Sequence, residues 1–226
     1  MLVPHLDALL ARATERGIVT KVQTNGKLLT PKRFAAMKPY VGEVGLSLDA
    51  LDDKMNAFFG RGKKHCAMTM DRIKMAKDAG VPVSVTSVLM WQNADELSMV
   101  ALALAQQKVD LWQVSPFSPA RGLAAKNRDL FTAPNYELKI STTGDVKGMP
   151  VKILPDSDFG TSAFVITPNG KVYEPLPAEP VQPVAPAPST PAAPREKGLM
   201  ELIIDADGMI KVVKEITEIA EMSNYS

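Results

Sequence analysis

From Leu2 to about Ser115 the chain alternates segments of helical and strand-like periodicity, and that alternation constrains its fold more than any other feature. It is the pattern of parallel strands joined by crossover helices. Leu6, Leu9, Leu10 and Ala13 recur at helical spacing, with Gly17 as the C′ residue, and Ile18 to Gln23 then reads as a strand. Thr30-Pro31 reads as an N-cap followed by proline at the first helical position, which predicts a short helix from Pro31 to about Met37 and a second strand from Val41 to Leu48. A third helix, from about Ala67 to Ala79, stops at Gly80. Val81 to Leu89 is apolar on both faces, as a strand buried in a parallel sheet must be. Asn93 or Asp95 can cap a further helix to about Gln107, and Leu111 to Ser115 is a fourth short strand. Four such strands leave two edges with open hydrogen-bonding groups.

The pattern changes after Pro134. Pro150 to Leu154 and Ala163 to Thr167 read as strands, and Pro168-Asn169-Gly170-Lys171 carries the Asn-Gly signal of a tight hairpin into Val172-Tyr173. From Pro175 to Pro194 eight of twenty residues are proline, which removes backbone donors and favours extended, mobile chain. The domain reading is therefore a main unit over residues 1–174, a Pro/Ala-rich linker over 175–195 and a short tail over 196–226. That tail combines Leu199 to Ile204, an Asp205-Ala206-Asp207-Gly208 turn and an amphipathic helix expected from Met209 to Met222.

Composition excludes several function classes. The 26 Lys and Arg nearly cancel the 25 Asp and Glu, so no global basic field draws the chain to nucleic acid or anionic lipid. One cysteine, Cys66, and two histidines, His5 and His65, cannot assemble an all-Cys or all-His metal site. No apolar run reaches the roughly 18 residues that a membrane span needs, and residues 1–15 lack the core of a signal peptide. A reducing cytoplasm is the expected compartment, with neither membrane nor nucleic acid as a partner.

The residues that could carry chemistry stand at predicted strand ends, where ligands gather in parallel α/β folds. Thr24-Asn25-Gly26 follows the first strand, and Ser47-Leu48-Asp49-Ala50-Leu51-Asp52 the second. Phe59-Gly60-Arg61-Gly62-Lys63-Lys64-His65 comes shortly after. A hydroxyl and a carboxylate at a strand mouth suit ribose hydroxyls or an amine, and an arginine between glycines can fork onto a carboxylate or phosphate. Taken singly, each piece reads first as something plainer. Thr24-Asn25-Gly26 is a βα turn, Asp49 and Asp52 are turn or N-cap residues, and Gly60-Arg61-Gly62 is a solvated loop. His65 reads as a surface group or cap in a first helical turn, Cys66 as a small buried hydrophobe, and Trp91 and Trp112 as packing anchors.

In that order and spacing, however, the pieces resemble a radical S-adenosylmethionine domain, most nearly the viperin-like branch of the superfamily, over roughly Pro4 to Phe131. The resemblance implies a partial (β/α) barrel of parallel strands followed by a small β element, the Pro-rich linker and a short helical tail. It also implies S-adenosylmethionine as cofactor, held by Ser47 and by Arg61 fourteen residues later, with Thr24, Asn25 and Asp49 at the same mouth. The family also uses a [4Fe–4S] cluster on a Cys-x-x-x-Cys-x-x-Cys loop, followed by a Gly-Gly-Glu strand. Neither motif occurs in these 226 residues. The resemblance thus implies a chain without the N-terminal cluster-binding segment, and reductive cleavage only where that segment is supplied. No side chain here is assigned a catalytic or metal-binding role. Positions that hold Lys, Asn and Arg for a nucleotide in viperins are Ser84, Thr86, Leu111 and Gln113 here, so the substrate stays open. A different class of function, a noncatalytic binding or assembly module, would use a protein partner that supplies the missing strands or binds the tail.

Overall fold

The computed structural model describes residues 5–117, 136–140, 144–153, 165–166, 172–173, 197–204 and 210–217. Its main sheet has strand order β1-β2-β3-β4-β7-β6. The strands are β1 (Lys21–Gln23), β2 (Glu43–Ser47), β3 (Val83–Leu89), β4 (Leu111–Pro116), β6 (Gly144–Val146) and β7 (Met149–Ile153). Pairing is parallel from β1 through β7, and β6 closes that side antiparallel to β7. The fold is mixed α/β with a mostly parallel sheet, as the alternation requires. One expectation is corrected: β7 pairs with the outer edge of β4, so among the described residues only β1 of the four predicted strands keeps an open edge.

Helices α1 (Leu6–Glu15), α2 (Pro31–Met37), α3 (Asp53–Phe58), α4 (His65–Asp78) and α5 (Leu97–Gln106) connect the strands. Their ends are set by the local chemistry of the sequence. Gly17 and Gly80 follow α1 and α4 with φ of 71° and 73°, a region open to glycine at little cost. Thr30 Oγ1 accepts from Arg33 N at 3.2 Å and Pro31 opens α2 with φ already fixed. The short helix α3 was not visible as periodicity; Asp52 caps it, Oδ1 accepting from Lys54 N at 2.7 Å and Met55 N at 2.8 Å.

Strand alternation gives the sheet two unlike faces. Val44, Leu46, Val83, Val85, Trp112 and Val114 point to one side and are fully buried against Leu10 of α1, Phe34 and Met37 of α2, Ile73 of α4 and Leu104 of α5. A polar seam runs through this core: Trp112 Nε1 donates to Ser87 Oγ at 2.9 Å, and Ser87 Oγ donates to the Leu48 carbonyl. It joins β4, β3 and the end of β2 and resists a register slip, which would turn every side chain to the wrong face.

The opposite face is polar. Lys21, Gln23, Glu43, Gly45, Ser47, Ser84, Thr86 and Gln113 follow the other parity of the same register. Lys21 Nζ lies 2.8 Å from Glu43 Oε1 and donates to Gln113 Oε1 of β4 at 3.3 Å, so a lysine on the first strand reaches the fourth across a concave surface. Gly45 leaves room for this: a Cβ there would stand 1.9 Å from Gln23 Oε1. Burial pushes the Glu43 carboxyl up, but the facing Lys21 and Ser84 outweigh it and hold Glu43 below its ordinary value.

The later residues depart further from expectation. The hairpin predicted around Asn169-Gly170 is found as β8 (Val165–Ile166) paired antiparallel with β9 (Val172–Tyr173). In the tail, β10 (Lys197–Ile204) pairs antiparallel with β11 (Ile210–Thr217) and parallel with β5 (Tyr136–Ile140). The helix expected from Met209 is therefore a strand over Ile210–Thr217. Ile210, Val212, Val213, Ile216 and Thr217 are β-branched and follow an Asp-Gly turn signal, a combination that favours a hairpin over a helix. The Pro/Ala-rich linker at 175–195 lies outside the described residues. Among the described residues no helix is long and apolar enough to cross a membrane.

Candidate functional site

The turn after β1, the loop between α3 and α4 and the first residue of α4 form a cleft lined by Asn25, Lys27, Phe59, Gly60, Arg61, Gly62 and His65. Its walls are built by backbone-directed hydrogen bonds. Thr24 Oγ1 accepts from Gly26 N at 3.2 Å and Asn25 Oδ1 from Lys27 N at 3.2 Å, so both side chains shape the turn after β1. Gly26 takes φ 78° there. The second wall depends on Asn56 of α3, fully buried, whose Nδ2 donates to the Ala50 and Asp52 carbonyls at 2.9 Å each. The Asn56 carbonyl in turn accepts from Arg61 N at 2.8 Å, which sets where the arginine leaves the loop.

Arg61 turns back to Asp49. Its Nε donates to Asp49 Oδ2 at 3.0 Å and its Nη2 donates to the same oxygen. Asp49 is 2% exposed, and its Oδ1 accepts from Val88 N at 2.9 Å. Asn93 locks this arrangement from behind, its Nδ2 donating to the Asp49 and Val88 carbonyls at 2.8 Å each while its Oδ1 accepts from Met90 N at 2.8 Å. Of the residues expected at one mouth, Asn25 and Arg61 line the cleft, and Thr24, Ser47 and Asp49 are not among its lining residues. Ser47 ends β2, and Asp49 stands two residues on as the anchor of Arg61 rather than as an open acceptor.

His65 is corrected from a surface group to a buried one, 3% exposed at the first position of α4. Its Nε2 lies 3.0 Å from the Ser47 carbonyl, which can only accept, so Nε2 carries the hydrogen in the neutral ring. Burial is the main cause that lowers its pKa from 6.5, the Ser47 carbonyl opposes it, and Arg61 lowers it again. A histidine whose folded pKa lies below its unfolded value stabilises the fold fully above the unfolded value and loses that contribution as pH falls through the folded one. Wild-type stability should therefore decline more than that of His65→Gln as pH drops from about 7 to about 5, measured by urea denaturation.

Sequence reasoning missed His65, Asn56 and Asn93 as site residues. The signal available for Asn93 was its position just beyond the end of β3, where buried backbone groups need side-chain partners, whereas Asn56 lies within α3 and gave none. Among the described residues no three His, Cys, Asp or Glu side chains group as a metal site, and burial pushes the Cys66 thiol up. The residues present do not fit a cluster that needs three thiolates.

Residues 1–103 match the model of the Radical SAM superfamily. An S-adenosylmethionine-dependent nucleotide dehydratase of Lacinutrix mariniflava is 27% identical over 183 residues, covering 77% of this chain and 37% of the relative. A PqqA peptide cyclase of Granulibacter bethesdensis is 25% identical over 146 residues, covering 63% of this chain and 38% of the relative. The chain thus spans less than two-fifths of either relative's length. Among solved structures, Streptococcus suis SuiB aligns with a TM-score of 0.47 at 19% identity, over 66% of this chain and 35% of that one. The matched residues, 1–103, hold β1, β2, β3 and the loop that carries Arg61.

Proposed function

We propose that this chain is the S-adenosylmethionine-binding part of a radical S-adenosylmethionine enzyme, with Ser47 and Arg61 on the cofactor and Thr24 and Asn25 shaping the mouth. The observation that carries the reading is the placement of Arg61 at the carboxyl end of β2, steered by Asn56 and braced by Asp49. A guanidinium fixed in this way meets a carboxylate with little further loss of side-chain freedom. Bound S-adenosylmethionine would supply radical chemistry through reductive cleavage, given a cluster from a Cys-x-x-x-Cys-x-x-Cys segment. The residues of this chain bind and orient.

The likeness to a nucleotide dehydratase supports the viperin-like branch, whereas the substrate face argues against a polyphosphate. Ser84, Thr86 and Gln113 are neutral, and Lys21 is balanced by Glu43. A polar substrate with both donors and acceptors suits that surface better than a triphosphate. The open edge of β1, flanked by exposed Ile18 and Val19, would take the strand that continues the barrel, from the same protein or from a partner.

Calorimetric titration with S-adenosylmethionine tests the reading. Arg61→Ala should weaken binding by about 1.5–3 kcal/mol, the usual worth of a hydrogen bond to a charged group, and the exposed Lys63→Ala should change it little. Equal affinity of wild type and Arg61→Ala would overturn the assignment of the arginine.

A further inference from the structure

Among the described residues the main sheet ends on two strands of three residues each, β1 and β6. The second sheet ends instead on β11, whose eight residues pair with β10 on one side only. β11 lies against α5, so its sheet is tied to the main unit. Proteins blunt a long edge with proline, a bulge or charge, because its open N–H and C=O groups are a template for another strand. Over Ile210–Thr217 there is no proline, the register with β10 runs unbroken, and five of the eight residues are β-branched.

The charges of β11 are Lys211, Lys214 and Glu215. Its register with β10 sets Ile203 opposite Lys211 and Leu199 opposite Glu215, so neither charge has its complement directly across the hairpin. Two copies of one edge can pair antiparallel about a two-fold axis. In such a ladder the residues whose backbone groups point outward alternate, and residues directly opposite must agree in this respect. Odd-numbered residues of β11 can therefore meet only odd-numbered ones, and even only even. Four registers engage five residues or more, centred on Val212, Val213, Lys214 or Glu215. Centring on Lys214 or Glu215 sets that charge against its own copy, and centring on Val212 sets both lysines against apolar residues. Centring on Val213 engages seven of the eight residues and sets Lys211 opposite Glu215 of the second copy at two symmetric crossings. It also sets Ile210 opposite Ile216 twice and Lys214 opposite Val212, with no like charges directly opposed.

We propose that β11 is an interaction surface for a second copy of this chain, paired antiparallel about a two-fold axis at Val213. Two three-stranded sheets then join into one of six strands, in the order β5-β10-β11-β11-β10-β5. Lys211 and Glu215 are the residues that select this register over the alternatives.

Sedimentation equilibrium of the full chain at about 10–200 μM, a range suited to a small edge-to-edge interface, tests the pairing. Wild type should form a dimer and nothing larger. Lys211→Glu sets glutamate against glutamate at both crossings, and Glu215→Lys sets lysine against lysine. Each variant alone should associate at least about tenfold more weakly than wild type. Mixed in equal amounts, the two should recover a dimer holding one copy of each, because both crossings are again opposite in charge; a variant that had failed to fold could not do so. A wild type that stays monomeric over this range overturns the proposal. So does a dimer indifferent to both substitutions, or a pair of variants that weaken without recovering on mixing. Masses that grow steadily with concentration overturn it as well, since they report a head-to-tail contact, such as β11 on β5 of the next copy, that does not close.

Discussion

Trp112→Ala is expected to destabilise the protein by about 3–5 kcal/mol, the range for emptying a large aromatic from a packed core. The indole is fully buried between the sheet and the helices, so the lost volume has no solvent to refill it. Its Nε1 also donates to Ser87 Oγ, so the truncation takes a partner from a buried hydroxyl that is itself tied to Leu48. Trp112→Phe separates the two effects: it should recover most of the packing and retain a deficit of about 1 kcal/mol for the hydrogen bond. Urea midpoints for the three proteins, compared at constant m, check both numbers. A loss under about 1 kcal/mol in Trp112→Ala would show that the helices do not rest on this residue.

The second large effect lies at the rim. Asp49→Ala should cost about 2–4 kcal/mol, because it leaves the Val88 amide without its acceptor and the Arg61 guanidinium without its partner. Arg61 keeps 25% of its side-chain surface in contact with solvent, which holds the figure below that of a wholly buried pair. Arg61→Ala should also reduce stability, since it strands a buried carboxylate. The double variant should cost less than the sum of the singles, and a coupling energy near zero in that cycle would mean that the two side chains do not hold each other.

The parts of this fold that were legible in the sequence were those encoded by one or two residues with restricted backbone chemistry. Thr30-Pro31, Gly17 and Gly80 mark helix ends because few conformations suit them, and Val83 to Leu89 is recognisable by its β-branched content, although Ser84 and Thr86 make one of its faces polar where an apolar one was expected. Helix α3 is too short for periodicity to register, and its only signal was the capping carboxylate of Asp52. The final strand was misread because Ile210 to Thr217 also satisfies helical spacing. Its β-branched content and the preceding Asp-Gly decide the matter once a partner strand at Lys197–Ile204 is available. The strand-end residues of the site were readable by type and place. What could not be read was which of them face one another, since the Asp49–Arg61 and His65–Ser47 contacts depend on the path of the intervening loop.

The seclusion of Trp112 has an optical consequence. The chain has two tryptophans, Trp112 without solvent contact and Trp91 partly exposed just past β3, three residues from the Asp49 anchor Val88. A collisional quencher such as iodide should extinguish the Trp91 emission and spare that of Trp112. In Trp112→Phe, the remaining fluorophore then becomes a native reporter of events at the rim. In Trp91→Phe, the remaining blue-shifted signal reports only whether the core is closed. Two single-tryptophan proteins thus allow ligand occupancy and global unfolding to be followed separately, without an attached dye.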